Sequence, residues 1–188
     1  MTRAPLHFQP TSRPQYPRWS ETLRDRTQVL IRPIVQADRS AQSAFLQRLS
    51  AESRRYRFLG TVRSPDQHLL DRLTEIDYAH EVTFVATVKE DGHDRIVGLS
   101  RYRADEPGLR CECEVIVSDD WRQKGLGTSL MRHLIEVARA RKIRTMYAID
   151  CAENLEMRDL ASFLGFHTRP DPDDEERVIH SLDLHPEV

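Results

Sequence analysis

Two sets of residues able to do chemistry lie close together between Cys111 and Lys142. The first is Arg122-Gln123-Lys124-Gly125-Leu126-Gly127, followed by Thr128. Its glycines let the backbone approach a ligand, and the helix predicted to follow leaves its first N–H groups without intrahelical partners. Such amides, with the helix dipole behind them, suit phosphate. The second set is the pair Glu112 and Glu114 in the run CECEVIV. Strand alternation puts both glutamates on one face and Cys113, Val115 and Val117 on the other. A carboxylate partly desolvated beside a ligand cleft can accept a proton at neutral pH, so each is a candidate general base. Both could equally be solvent-facing strand residues.

Two common phosphate motifs do not fit. A Walker loop closes on Gly-Lys-Ser or Gly-Lys-Thr, whereas Lys124 precedes the first glycine and Gly127-Thr128 ends the run. A dinucleotide fingerprint needs a third glycine or alanine where Leu130 stands, and a direct strand-to-helix turn where Ser118-Asp119-Asp120-Trp121 intervenes.

The elements that must position these groups follow from periodicity. Residues 28–34, 82–88, 96–103 and 111–117 read as strands, the middle two joined by the turn Glu90-Asp91-Gly92-His93-Asp94. Pro33 marks an edge position or a strand end, and Gly98 a place where backbone comes close to a neighbour. Asp38 can cap a helix through Ala41, Phe45 and Leu49, Ser50 or Ser53 can start another through Tyr56, and Ser64-Pro65-Asp66 opens a third over Leu69 to Ile76. Leu126, Leu130, Leu134, Val137 and Ala138 line one face of a helix, and the strand 145–150 after it makes a parallel crossover. A ligand belongs at the C-terminal ends of those two strands. Asn154 starts a last helix that stops at Gly165-Phe166, and 166–168 and 177–184 are the final strands, flanking an acidic loop, 171–176, read as a solvated turn. The fold class is α/β (α+β), a mixed, mostly antiparallel sheet of six to seven strands with helices on both faces. Residues 1–26, with Pro5, Pro10, Pro14 and Pro17, form an arm beside a single domain, 27–188. Tyr16 and Trp19 suggest docking of the arm, on its own domain or in a homodimer, and a partly disordered tail fits the composition equally well.

At 188 residues, 39% hydrophobic and 31% charged, the chain can bury one sizeable core. A formal net charge of −2 gives no basic field for nucleic acid or an anionic membrane, and no apolar run is long enough to span a bilayer. The expected location is cytoplasmic. Three cysteines fit a reducing compartment, and their spacing is poor for a metal, so all three are read as small buried apolar residues. The cluster Arg54, Arg55 and Arg57 is a solvated helix face or a contact to an acidic partner.

Arg122, Gly125 and Gly127, with a strand before and a helix after, resemble the Arg/Gln-x-x-Gly-x-Gly/Ala signature of the GCN5-related N-acetyltransferases (GNAT), and the order of elements is similar over roughly 28 to 184. More narrowly, LSAESRRYRF (49–58), LTEIDY (73–78) and VSDDWRQKGLGTSLM (117–131) resemble the acetyltransferase domain of bacterial protein-lysine acetyltransferases. The resemblance implies the GNAT fold and acetyl-CoA as co-substrate, with no metal. It implies that the main chain of Val115 and Val117 holds the pantetheine arm, that the amides of Arg122, Gln123, Lys124, Gly125, Leu126, Gly127 and Thr128 cradle the diphosphate, and that Asn154 opens a second cofactor segment. Glu112, ten residues before Arg122, matches the family's catalytic glutamate, while Ala161 stands where many members place an acidic tyrosine. The substrate implied is a primary amine, on a protein lysine or a small molecule, approaching over segments around 50–60 and 75–82, where Asp77 or Glu81 could steer a cation. A non-catalytic acyl-CoA-binding regulatory module is the other class left open.

Overall fold

A computed structural model of the chain describes residues 17–58, 76, 78–105 and 108–185. The helix expected over 65–76 and Asp77 lie outside them, apart from Ile76, which is buried. The strands are β1 (Trp19–Thr22), β2 (Gln28–Pro33), β3 (Glu81–Glu90), β4 (His93–Ala104), β5 (Arg110–Val117), β6 (Thr145–Cys151), β7 (His167–Asp171) and β8 (Asp174–Asp183). They form one sheet in the order β1-β2-β3-β4-β5-β6-β8-β7. The helices described are α1 (Arg39–Arg48), α2 (Ala51–Phe58), α3 (Leu126–Ala140) and α4 (Leu155–Phe163).

Seven strands are those the alternation predicts, and the eighth, β1, comes from within the arm. Four residues with no apolar alternation do not announce a strand. Trp19 fixes it, stacked on His133 at 4.0 Å and edge-on to Phe84 at 5.2 Å, while Glu21 meets His133 Nε2 at 2.7 Å. From Trp19 onward the arm therefore docks on its own domain. Because β1 takes the edge, Pro33 is the end of an inner strand.

The meander β3-β4-β5 delivers the chain to the glycine run. Asp91 and Gly92 both have positive φ, 49° and 80°, as a two-residue hairpin turn with right-handed strand twist demands. At Gly98 a Cβ would lie 2.9 Å from Leu130 Cδ1 and 3.1 Å from Leu126 Cδ2, so the missing side chain lets α3 press directly onto β4. β5 and β6 are the parallel pair, joined by α3. The buried side of α3, Leu126, Leu130, Met131, Leu134 and Ala138, is at most 1% exposed and packs with Phe84, Ala86 and Val97 of the sheet. Each fully buried Leu or Met there contributes roughly 1.5–3 kcal/mol. Met157, Leu160 and Ala161 of α4 join this cluster, whereas Phe45 and Leu46 of α1 pack with Val85, Leu99 and Ile116 in a second one.

Some expectations change. Asp38 stands at the start of α1 but does not cap it. Its carboxylate takes a bidentate pair from Arg32, at 2.7 and 2.8 Å, and the Val35 N–H at 2.8 Å, because a buried guanidinium needs its counter-charge more than α1 needs a cap. The acidic run 171–176 is a tight hairpin rather than a loop: Asp174–Glu176 lie within β8, and Asp171 and Asp174 accept the N–H groups of Asp173 and Glu176. Cys111 and Cys113 are buried as expected, but Cys151 is only half-buried. Burial pushes the Cys111 thiol up to about 12 and raises the Cys113 thiol well above its ordinary value, so both stay protonated.

Candidate functional site

β5 and β6 share only the pairs Arg110↔Thr145, Cys111↔Met146 and Glu112↔Tyr147, then separate. Beyond Glu112, β5 continues to Val117 beside β4, and β6 to Cys151 beside β8. Ser118 N–H donates to Val97 O, so by antiparallel alternation residues 114 and 116 turn their peptide groups to β4, and 115 and 117 turn theirs to the gap. Those peptide edges have no ladder on the β6 side. The gap is a cleft of about 250 Å³, lined along its walls by Glu112–Val117 and Ala148–Asp150. Glu112 stands at its closed end and is exposed, not desolvated. Its neighbour across the ladder is Tyr147, over whose ring Arg110 lies at 5.0 Å.

The glycine run forms the open end. Gly125, at φ 88°, is the residue before α3, and Gln123 before it also has positive φ, 60°. This left-handed pair coils the amides around the start of a fifteen-residue helix. A Cβ on Gly127 would lie 3.4 Å from Leu160 Cδ2 and 3.8 Å from Val117 Cγ2, so a methyl fits there and a larger side chain would crowd the cleft wall. Leu126 is 1% exposed and faces the core, leaving only its main chain for a ligand. Lys124 points away from the cleft, to Asp25 at 3.0 Å and over Trp121 at 4.5 Å.

α2 roofs this end. Ser50, just before α2, gives its N–H and hydroxyl to Asp119 at 2.9 and 3.0 Å, and Ser53 Oγ reaches the same carboxylate at 2.9 Å. Arg122 then donates to Ser53 Oγ and pairs with Asp119 at 3.0 Å and Glu156 at 3.4 Å, linking α2, the turn before the glycines and α4. Arg55 pairs with Glu153 across the same mouth, so of the three clustered arginines it is engaged within the chain.

The far wall ends on Asp150 and Asn154. Asn154 Oδ1 accepts from Met157 N at 3.2 Å, capping α4, and Nδ2 donates to Asp150 at 2.9 Å. Asp150 also accepts the Cys151 N–H at 2.7 Å, yet burial outweighs both bonds and pushes its carboxyl up to about 6. Unpaired β5 peptides, a glycine cradle at a helix start and an aliphatic wall of Met157 and Leu160 make a slot fitted to a long ligand with an amide arm and a phosphate end.

The acetyltransferase (GNAT) family model matches residues 46–166, well over half the chain. The chain belongs to the GNAT acetyltransferase family. This GNAT chain is 48% identical over 166 residues to "Acetyltransferase PA5475" of Pseudomonas aeruginosa, covering 88% of itself and 89% of that protein. It is 31% identical over 111 residues to "Acetyltransferase Pat" of Mycolicibacterium smegmatis, covering 58% of itself and 33% of that protein. Among solved structures, the GNAT domain of S. lividans PAT matches with a TM-score of 0.82 at 24% identity, over 90% of this chain and 99% of that one, which supports the fold. Of the two classes left open, these relatives support an enzyme, an acyltransferase; the family generally uses acetyl-CoA as co-substrate.

Within this acetyltransferase the cleft brings together Glu112, Val115, Val117, Arg122, Gly127 and Asn154. Gln123, Lys124, Gly125, Leu126 and Thr128 do not line it and can take part only from the rim or through their amides. Glu81 is paired with Arg101 at 2.7 Å and Arg103 at 2.6 Å, a strand-to-strand bridge rather than a free steering charge. Ser53, Tyr56 and Asp150 line the cleft without having been singled out. Asp150 was within reach of sequence reasoning, because it ends the second strand of the crossover, where a ligand belongs. Ser53 and Tyr56 carried no such signal. Among the described residues, no three His, Cys, Asp or Glu side chains come together as a metal site, and no helix is long and apolar enough to cross a membrane.

Proposed function

We propose that this GNAT enzyme moves an acetyl group from acetyl-CoA to a primary amine, with a protein lysine side chain as the substrate and Glu112 as the general base. The observation that carries the reading is the placing of Glu112 at the closed end of the same cleft whose open end is the glycine cradle. Acetyl-CoA, when bound, supplies an acetyl thioester activated toward amines. The peptide edges of Val115 and Val117 bind and orient the amide arm along β5, as an added strand would be held. The amides from Arg122 to Thr128 hold the diphosphate with the α3 dipole behind them. Glu112 accepts a proton from the substrate ammonium, directly or through one water, leaving a neutral amine. A substrate covering the exposed Glu112 supplies the desolvation that the ligand-free chain lacks. From α4, Met157 and Leu160 line the cleft, Ala161 is fully buried, and Glu156 is a carboxylate paired with Arg122, so the thiolate leaves without an acid from that helix.

Support for protein lysine is the resemblance of segments 49–58 and 117–131 to bacterial protein-lysine acetyltransferases, since these are the roof and the glycine end of the cleft. The test pairs calorimetry with transfer of labelled acetyl groups into a lysate read by mass spectrometry. Glu112→Gln is expected to bind acetyl-CoA like the wild type while transfer falls roughly 10²- to 10⁴-fold, the usual worth of a general base. Full transfer by the variant would overturn the role of Glu112. Labelling confined to small amines would overturn the protein substrate.

A further inference from the structure

The glycine run lacks an uncommitted positive charge on its own side chains. Arg122 is bound to Asp119 and Glu156, and Lys124 is bound to Asp25. Asp25 is held well below the usual carboxylate range, at about 2, first by the Thr27 N–H and then by Lys124. Asp25 sits in the turn that joins β1 to β2, which is pinned to the run by the bond from Arg24 N–H to Lys124 O at 3.1 Å. The same turn that occupies Lys124 lays another cation against the glycines. Arg24 is exposed and has no carboxylate partner among the described residues. Its Nε, Cγ and Cδ lie 3.5, 3.6 and 3.8 Å from where a Cβ on Gly125 would be, so the stem covers the bare Cα of the left-handed glycine and the guanidinium reaches the rim of the cradle. A diphosphate brings at least two negative charges to that rim, and amides alone match them with partial charges.

We infer that Arg24 is a cofactor-binding residue: its guanidinium closes the glycine cradle from outside and binds the diphosphate of coenzyme A. This rests on the reading of the cleft as a coenzyme A site. It assigns to the β1–β2 turn, which lies outside residues 46–166 matched by the family model, a part in binding as well as in the sheet. Gly125 is left-handed for the turn, and the arginine stem lies in van der Waals reach of its bare Cα.

Calorimetric titration of the full chain with coenzyme A and with its 3′-dephospho form tests it, using wild type, Arg24→Gln and Arg24→Lys. The expected result is about a tenfold loss of affinity for both ligands in Arg24→Gln, as for one charge-assisted hydrogen bond, with most of it restored in Arg24→Lys. The gap between wild type and Arg24→Gln is expected to narrow as salt is raised, and the melting temperature of the ligand-free variant to match wild type. Unchanged affinity in Arg24→Gln, or a loss insensitive to salt, would overturn the inference. A loss with coenzyme A but none with the 3′-dephospho form would overturn the diphosphate assignment. A wild-type chain that binds neither ligand would instead overturn the coenzyme A site itself, and Arg24 with it.

Discussion

Asp150 carries the most altered acid in the cleft wall. Its carboxyl titrates near 6 in the fold and near 3.8 as an ordinary aspartate, so between those values the folded chain binds more proton than the unfolded one. Stability therefore falls as pH rises from about 4 to about 6 and is flat above, by about 3 kcal/mol for a shift of this size. Asp150→Asn removes the titrating group, and its denaturation midpoints are expected to lose that slope; an unchanged slope would show that another group produces it. Arg32 and Asp38 form an ion pair. Their pair is buried, both side chains being 8% exposed, and Asp38→Ala leaves a guanidinium without its bidentate partner. The expected cost is roughly 3–5 kcal/mol in denaturant unfolding, while replacing both partners with apolar residues is expected to cost far less.

At the level of elements, the contact of α3 with β4 is tight enough to be tested by double substitution. Gly98→Ala places a methyl 2.9 Å from Leu130 Cδ1, and Leu130 is 0% exposed, so overpacking is expected to cost about 1–3 kcal/mol. Leu130→Ala alone opens a cavity at about 2–5 kcal/mol. The double variant is expected to lose less than the sum, since the new methyl enters the space the leucine leaves. β4 and α3 were legible because their apolar residues repeat with period 2 and 3.6, and Gly98 stood out inside such a pattern. The roof was not. Ser50 and Ser53 lie 69 and 66 residues before Asp119, and no local periodicity says that two serines and an aspartate will share hydrogen bonds. Asp119→Ala is expected to speed amide exchange over α2 about tenfold or more while α3 keeps its protection, because it removes three acceptor bonds from the start of α2. Asp150 was legible as a position but not in its ionisation, which depends on burial under the tertiary structure.

Across the whole molecule, the sheet ends in two short strands, Trp19–Thr22 and His167–Asp171, the second carrying Pro170. Both are poor templates for further strands. A chain beginning at residue 27 would lose β1 and bare β2, whose Val29 and Ile31 are 3% and 0% exposed in the intact fold. Such a chain is expected to self-associate with rising concentration in light scattering; constant mass would show that β1 is not needed to guard that edge. β1 escaped the sequence reading because its stabilising partners, Phe84 and His133, lie far along the chain and its own residues do not alternate.

The early parting of β5 and β6 also bears on how the molecule breathes. With three ladder pairs at that seam, the sheet divides along a fault into two plates, one of β1 to β5 and one of β6, β8 and β7. Apolar packing of Met146 and Ala148 in the cluster that includes α3 holds the plates together where backbone hydrogen bonds do not. Partial opening is expected to occur along this line, with the β6-β8-β7 plate exchanging its amides as one unit before global unfolding. A ligand lying in the fault touches both plates, so saturation with coenzyme A is expected to slow exchange in the distant hairpin β7-β8 as well as at the cleft walls.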